Sequence, residues 1–294
     1  MADYCASPAV LTLAIPGGPT VDLMSDQQGF RVSEVDLGYP EIREDMDLRP
    51  AGHGTIDFTR LFGARAVTIN GFLISSPAGS RQAAWHVLAP FLDPGARVTL
   101  TYAIDADVSP RTMTVRAAQV AGPIDDPYMS DLSMGFKAAD PLAYDATVQL
   151  GVVYPGSAPG RAYNWTPNRA YPAGGATIAT LTSHGDFPVY PLLRLYGPAT
   201  GPTVTETLPG VPARQIAFQA GFVISAGTWV EVDCRARTVL LNGDRTNSVY
   251  GNLAPSSAGW PVLPPGVATN WAYQATGLGT GSQLQVSWSD AFLI

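Results

Sequence analysis

The chain is poor in charge. Charged residues make up 14% of its 294 positions, against about 25% in an ordinary globular protein. So little charge leaves much of the surface without strong hydration, as expected when that surface ends up against other protein. Lysine is nearly absent: Lys137 is the single one, and every other basic residue is arginine. Net charge is -7, which excludes a broad phosphate-binding surface of the kind nucleic-acid binding requires. The two cysteines, Cys5 and Cys234, lie far apart, so there is no CxxC pair and no Cys/His cluster at metal spacing. They are read as two unrelated thiols, with a disulfide as the lesser alternative. No apolar run approaches the ~18 residues of a membrane span. The opening MADYCASPAVLTLAIPGG has no basic region before its short apolar run, so no export signal is expected.

The usual catalytic signatures are missing too. No serine sits in G-x-S-x-G, and neither GxxxxGK[ST] nor HExxH occurs. GLGTG (277–281) is not G-x-G-x-x-G and follows no βα unit. His86 falls inside a helical stretch and is read as structural. His53 and His184 sit in glycine-flanked loops and are read as solvated. Neither an enzyme nor a cofactor protein is indicated, and no metal site is expected. The carboxylates of PEIREDMDLRP (Glu41, Glu44, Asp45, Asp47) would suit Ca²⁺ in number. Their spacing fits no EF-hand, however, and Arg43 and Arg49 sit among them, so a solvated, salt-bridged loop is the simpler reading.

Turn formers are plentiful, with 30 glycines and 26 prolines spread between short apolar runs, as in a β protein. Strands are expected at 10–15, 30–37, 55–61, 66–74, 97–104, 111–120 and 130–138. One helix is expected before FLDPG, with Ser80 as N-cap. Trp85, Leu88 and Leu92 form its stripe, flanked by Ala84 and Phe91. After a turn-rich boundary near 140–147, strands are expected at 147–153, 189–196, 214–218, 229–233, 238–241, 270–275 and 283–288. No helix intervenes, which indicates an antiparallel sandwich. Two domains follow, 1–145 and 146–294, both mainly β. Trp229, Trp271 and Trp288 alternate with polar residues and are read as core. Trp165 and Trp260 are the candidates for an exposed glycan contact. The sequon Asn164-Trp165-Thr166 is read as chance.

WVEVDCRARTVLLNG (229–243) gathers Asp233, Cys234, Arg235 and Arg237 near Asp244. It reads as a strand, a polar turn and a second strand closing on Asn242-Gly243, a pair suited to positive φ at both positions. Asp233 and Cys234 then end a strand and do no chemistry.

Two sets of motifs carry a family resemblance. The first is Leu37-Gly38-Tyr39-Pro40-Glu41-Ile42-Arg43, followed by a Gly/Asp-rich turn and Phe62-Gly63-Ala64-Arg65-Ala66-Val67-Thr68-Ile69-Asn70-Gly71, with FLDPG (91–95) beyond it. The second is RTVLLNG (237–243), then GWPVLPPGVATNWAY (259–273) and a last strand with Trp288. Together they resemble distal tail (Dit-like) proteins of siphophages, especially those infecting actinobacteria. The asparagine of VATN (267–270) comes later than the family pattern has it.

The resemblance implies an N-terminal tail-tube-like split β-barrel or sandwich with one helix, and a C-terminal galectin-like antiparallel β-sandwich. It implies a hexameric ring at the distal end of the phage tail, in the virion. That ring would join the tail tube protein to the tail-tip hub or baseplate, near the tape measure protein and tail fibres, with DNA passing through its lumen. The expected subunit-interface or lumen residues are Glu41, Arg43, Glu44, Asp45, Asp47 and Arg49. The alternative role is a carbohydrate-binding adhesin working through the C-terminal sandwich.

Overall fold

The structure, a computed structural model, describes residues 8–25, 30–43, 46–48, 55–57, 61–74, 81–105, 108–122, 129–155 and 178–293. Contacts divide the chain into two compact units: 1–147 with 292–294, and 148–291. The sequence-based division put the final three residues in the second domain. The structure assigns them to the first unit.

In the first unit, alternating runs become an antiparallel sheet in the order Thr20–Asp22, Val10–Ala14, Val98–Ala103, Arg111–Ala121, Met129–Ala138, Arg65–Ile74, Phe30–Asp36. The strand Arg111–Ala121 serves three partners, one of them the short Ala143–Asp145 at Arg111 and Thr112. Its first half pairs with Val98–Ala103, and its second half pairs with Met129–Ala138 across a register shift at Ala117/Gln119. A strand shared in this way, bent at a bulge, lets one ladder wrap a core. Leu11, Leu13, Val67, Leu100, Val115 and Phe136 are buried in it. Each such side chain contributes roughly 1.5–3 kcal/mol.

The helix is Arg81–Leu88, extended by a 3-10 turn, Ala89–Leu92. Pro90 ends the regular part, since it has no N–H to donate. The stripe differs from the expected one. Ala84, Leu88 and Phe91 are the buried residues, while Trp85 and Leu92 pack at the margin of the core. His86 lies on the solvent side. Ser80 lies outside the described residues. Of the predicted strand 55–61, Thr55–Asp57 and Leu61, the start of Leu61–Phe62, are strand, and 58–60 lie outside the described residues.

The second unit has two antiparallel sheets. One runs Gln149–Val153, Gln283–Trp288, Leu192–Tyr196, Trp229–Asp233, Thr238–Leu241. The other runs Ile178–Leu181, Thr269–Thr276, Ala199–Leu208, Val211–Ala217, with Val223–Ile224 also on Ala199–Leu208. Alternation buries Leu193, Leu195, Val230, Val232, Leu284 and Val286 from the first sheet, and Val204, Ile216, Trp271 and Tyr273 from the second. Trp271 and Trp288 are therefore core residues, as their alternation predicts. Ala199–Leu208 was not foreseen. It carries Glu206, fully buried, whose Oε2 accepts from the Val262 N–H at 3.1 Å and pairs with Arg214 Nη1 at 3.4 Å. Burial pushes this carboxyl's pKa up, opposed by the Val262 and Arg214 contacts. Val189, predicted to lie in a strand, makes an isolated bridge to Leu263 instead.

Candidate assembly surface

The 229–243 segment folds as a scaffold. Asp233 Oδ1 accepts from the Arg235 and Ala236 N–H groups, both at 2.8 Å, and so holds the turn that Arg237 completes at φ 54. Thr238–Leu241 then pairs back on Trp229–Asp233. Asn242 and Gly243 have φ 53 and φ 69, and the Asp244 N–H donates to Leu241 O at 3.0 Å. This is the left-handed pair that the Asn-Gly dipeptide predicts. Cys234 is a free thiol, 1% exposed. Burial first, then the charges of Asp233 and Glu206, push its pKa well above the ordinary thiol value. A thiol held protonated is a poor nucleophile. Cys234 in the native chain is therefore expected to resist iodoacetamide at neutral pH and to react once the chain is unfolded in guanidinium. Peptide mapping by mass spectrometry reads this directly, and rapid native labelling would contradict it.

Among the described residues, no three His, Cys, Asp or Glu groups are placed to hold a metal ion, and no helix is long and apolar enough to cross a membrane. A shallow pocket of about 150 Å³ sits beside Ile104, Val108 and Arg111.

What the first unit does offer is an arm that carries exposed apolar side chains. Gly38, at φ 57, turns the chain out of Phe30–Asp36, and its N–H is held by Asp36 Oδ1 at 2.8 Å. Pro40 is buried at the base of the arm. Ile42–Arg43 then pairs with Leu61–Phe62 in the register Ile42↔Phe62, Arg43↔Leu61. Further along, Met46–Leu48 pairs with Thr55–Asp57, placing Asp47 opposite Ile56. Four apolar side chains lie open on this stem: Tyr39 at 73%, Ile42 at 57%, Leu61 at 55% and Phe62 at 38% exposure. Ile42 and Phe62 face each other across the ladder as an exposed apolar pair, and Leu61 stands opposite Arg43 on the other face.

The candidate residues read from the sequence divide accordingly. Glu41 and Arg43 are exposed at the base of the arm, and Asp47 lies on its outer ladder. Glu44, Asp45 and Arg49 lie outside the described residues, as do Trp165, His53 and Cys5. Trp260 is half-buried and stacks on Tyr250, with ring centroids 6.3 Å apart. The apolar partners Ile42, Leu61 and Phe62 were not singled out from the sequence. They are separated by some twenty positions, and only the ladder brings them together.

A second feature of the first unit centres on Arg65, which the sequence marks only as a member of the Phe62–Gly71 motif. Arg65, fully buried, donates from Nη2 to the Leu293 carbonyl. Burial lowers its pKa, and the nearby Tyr102 hydroxyl opposes that shift. The Arg111 guanidinium lies 3.9 Å over the Phe292 ring, a cation–π contact. Two arginines thus hold the returning end of the chain.

The fold has two mainly β units, one with a shared bent strand and a short helix, the other a two-sheet sandwich. The sequence matches no family model and no curated protein. Solved structures do match. Dit (gp 19.1) of phage SPP1, described as a paradigm of the hub adsorption apparatus of phages infecting Gram-positive bacteria, aligns over 96% of this chain and 99% of its own. The TM-score is 0.66 at 16% identity. A chain of the phage p2 baseplate in its activated conformation with strontium aligns over 95% and 97%, with a TM-score of 0.51 at 12% identity. The chain has the fold of a phage Dit protein.

Proposed function

We propose that this chain is a distal tail protein, a structural part of the virion at the far end of a long phage tail. In this role it forms a hexameric ring that joins the tail tube protein to the tail-tip hub or baseplate, and DNA passes through the lumen. The observation that carries this reading is the two-way coverage. Both units, in one chain and in the same order, match SPP1 Dit over nearly the full length of each protein. A ring of identical subunits needs a heterologous contact that closes by rotation, and the exposed apolar stem of the arm supplies a surface for one. The low charge fraction suits a protein that meets neighbours on several sides: its own copies, the tube, the hub, the tape measure protein and the fibres.

Acidic side chains facing the lumen would repel phosphates and let DNA slide. Glu41, Glu44, Asp45 and Asp47 are assigned to that role, and Arg43 and Arg49 to the contact between subunits. Electron microscopy of the purified full-length chain, imaged alone and with its tube protein, tests the reading. Closed rings with six-fold symmetry are expected. A chain that stays monomeric in both preparations would overturn it, and rings with all four carboxylates on the outer wall would remove the lumen assignment.

A further inference from the structure

We propose that the edge strand Gln149–Val153 of the second unit is an interaction surface for the same strand of a second copy of this chain. Gln149–Val153 is paired on one side only, with Gln283–Trp288. The opposite edge of that sheet is closed by its own chain: the Leu241 N–H donates to Asn247 O at 3.0 Å and the Val249 N–H to Val239 O at 2.9 Å. The Val211–Ala217 edge of the other sheet is closed in the same way. There the Gln215 N–H donates to Ala258 O at 2.9 Å and the Ala254 N–H to Ala217 O at 2.8 Å. The remaining edge, Ile178–Leu181, exposes one large apolar residue, Ile178, with Thr180 beside it. Among the described residues, nothing bonds the outer side of Gln149–Val153.

Open edges in soluble proteins carry charge, proline or a bulge, which keep other strands away. This edge has none of them. Residues 148–154 include no charged residue and no proline, and the register with Gln283–Trp288 is unbroken. The outward face is apolar throughout: Val148 at 63%, Leu150 at 58% and Tyr154 at 44% exposure, with Val152 half-buried between them. Gly151 and Val153 are buried on the inner face. On the neighbouring strand, Ser287 stands beside Leu150 and Gln285 beside Val152. The apolar stripe is therefore confined to the edge.

The strand is complementary to itself, which selects the occupant. Two copies laid antiparallel about Gly151 place Val148 opposite Tyr154 and Leu150 opposite Val152. All four outward side chains then meet an apolar partner, the arrangement that stabilises a sheet. Centring the pair on Leu150 would leave Tyr154 opposite Ala146, and centring it on Val152 would leave Val148 opposite Gly156. Because the strand is neutral, no like charges are brought together. Pro155, which has no N–H, ends the ladder at the same point in each copy. The contact is isologous and closes after two copies, unlike the head-to-tail contact of a ring. One strand pair about 24 Å long buries less than the ~1,200 Å² of a stable complex, so the association is reversible and grows with concentration. It uses the second unit alone and does not depend on the arm of the first.

The test uses full-length chains in a Cys5→Ser background, one carrying Leu150→Cys and the other Val152→Cys. Oxidised with diamide as a mixture, they should give a two-chain band on a denaturing gel, because directly opposed residues lie within disulfide reach. Each chain alone should crosslink about tenfold less, since its two cysteines would stand about 8 Å apart, beyond that reach. Sedimentation of the parent chain is the second readout. Its average mass should rise with concentration. Leu150→Lys, which places a charge on the outward face and leaves the core untouched, should raise the dissociation constant about tenfold or more, with an unchanged circular dichroism spectrum. The inference is overturned if the mixture crosslinks no more than the separate chains, or if the parent and the folded Leu150→Lys chain associate alike. Microscopy of the same preparations keeps the two readings apart. Crosslinked pairs in a chain that forms no six-fold ring would support this contact and remove the ring. Rings whose chains do not crosslink would do the reverse.

Discussion

Leu61→Asp is expected to convert the assembled protein to monomers while leaving each subunit folded. Leu61 stands 55% exposed on the arm, opposite Arg43 and on the other face of the ladder from the exposed Ile42–Phe62 pair. A carboxylate buried there against a neighbouring subunit would lose its water with no partner across the interface. That loss is worth about 3 kcal/mol, roughly two orders of magnitude in association at each contact. In a closed ring every subunit contributes the same contact, so the loss recurs at each interface. The isolated subunit is spared because Leu61 is directly opposite Arg43 in the ladder. An opposite-charge cross-strand pair is mildly favourable, at about 0.2–1 kcal/mol, so the stem of the arm survives. Light scattering should give the subunit mass, and circular dichroism an unchanged β spectrum. Rings that persist in the variant would move the subunit contact off the arm. A monomer that has lost its folded spectrum would show instead that Leu61 packs within its own subunit, since loss of association alone lowers only the melting temperature.

The sequence exposed the parts of this architecture that repeat with the period of a strand. Arg65–Ile74, Val98–Ala103, Trp229–Asp233 and Gln283–Trp288 alternate cleanly, and the structure buries the expected side of each. Asn242-Gly243 announced its turn because few other dipeptides accept two positive φ values. Ala199–Leu208 escaped notice for an equally local reason. It has Gly201-Pro202 in its first half, carries threonine at 203, 205 and 207, and puts a glutamate where an apolar residue belongs. Glu206 is tolerated only because Arg214 is its cross-strand partner and the Val262 N–H lies against it. Neither neighbour is visible before the sheet is formed. The same holds for the arm. Its charged residues attracted attention as a run, whereas its apolar side chains become a surface only when Ile42 meets Phe62 across the ladder. Trp229 illustrates a different limit. Alternation predicts the strand but not how far each face is covered, and so it places Trp229 in the core. It stands half-buried beside Tyr196.

Gly38→Ala is expected to be among the most damaging single changes in the first unit, lowering its stability by on the order of 3 kcal/mol or more. Two requirements coincide at this residue. Its φ of +57° is one that residues with a Cβ adopt reluctantly. In addition, a Cβ there would stand 2.3 Å from the Ala66 carbonyl oxygen, a backbone atom that cannot swing aside as a side chain can. Ala66 belongs to Arg65–Ile74, which pairs on both its edges, so relief must come from the chain at Gly38, where the arm departs. Gly17 separates the two effects. It lies in the same unit at φ +72°, with nothing within 4 Å of the added carbon, so Gly17→Ala meets the backbone strain alone, about 1 kcal/mol. Thermal melts of the two variants should therefore differ by roughly 5 °C or more, with Gly38→Ala the lower, and assembly should fail first in that variant because the arm is displaced from its root. Equal melting temperatures would mean that the Ala66 carbonyl does not constrain this turn, and the departure of the arm would then rest on Pro40 and the Asp36 cap.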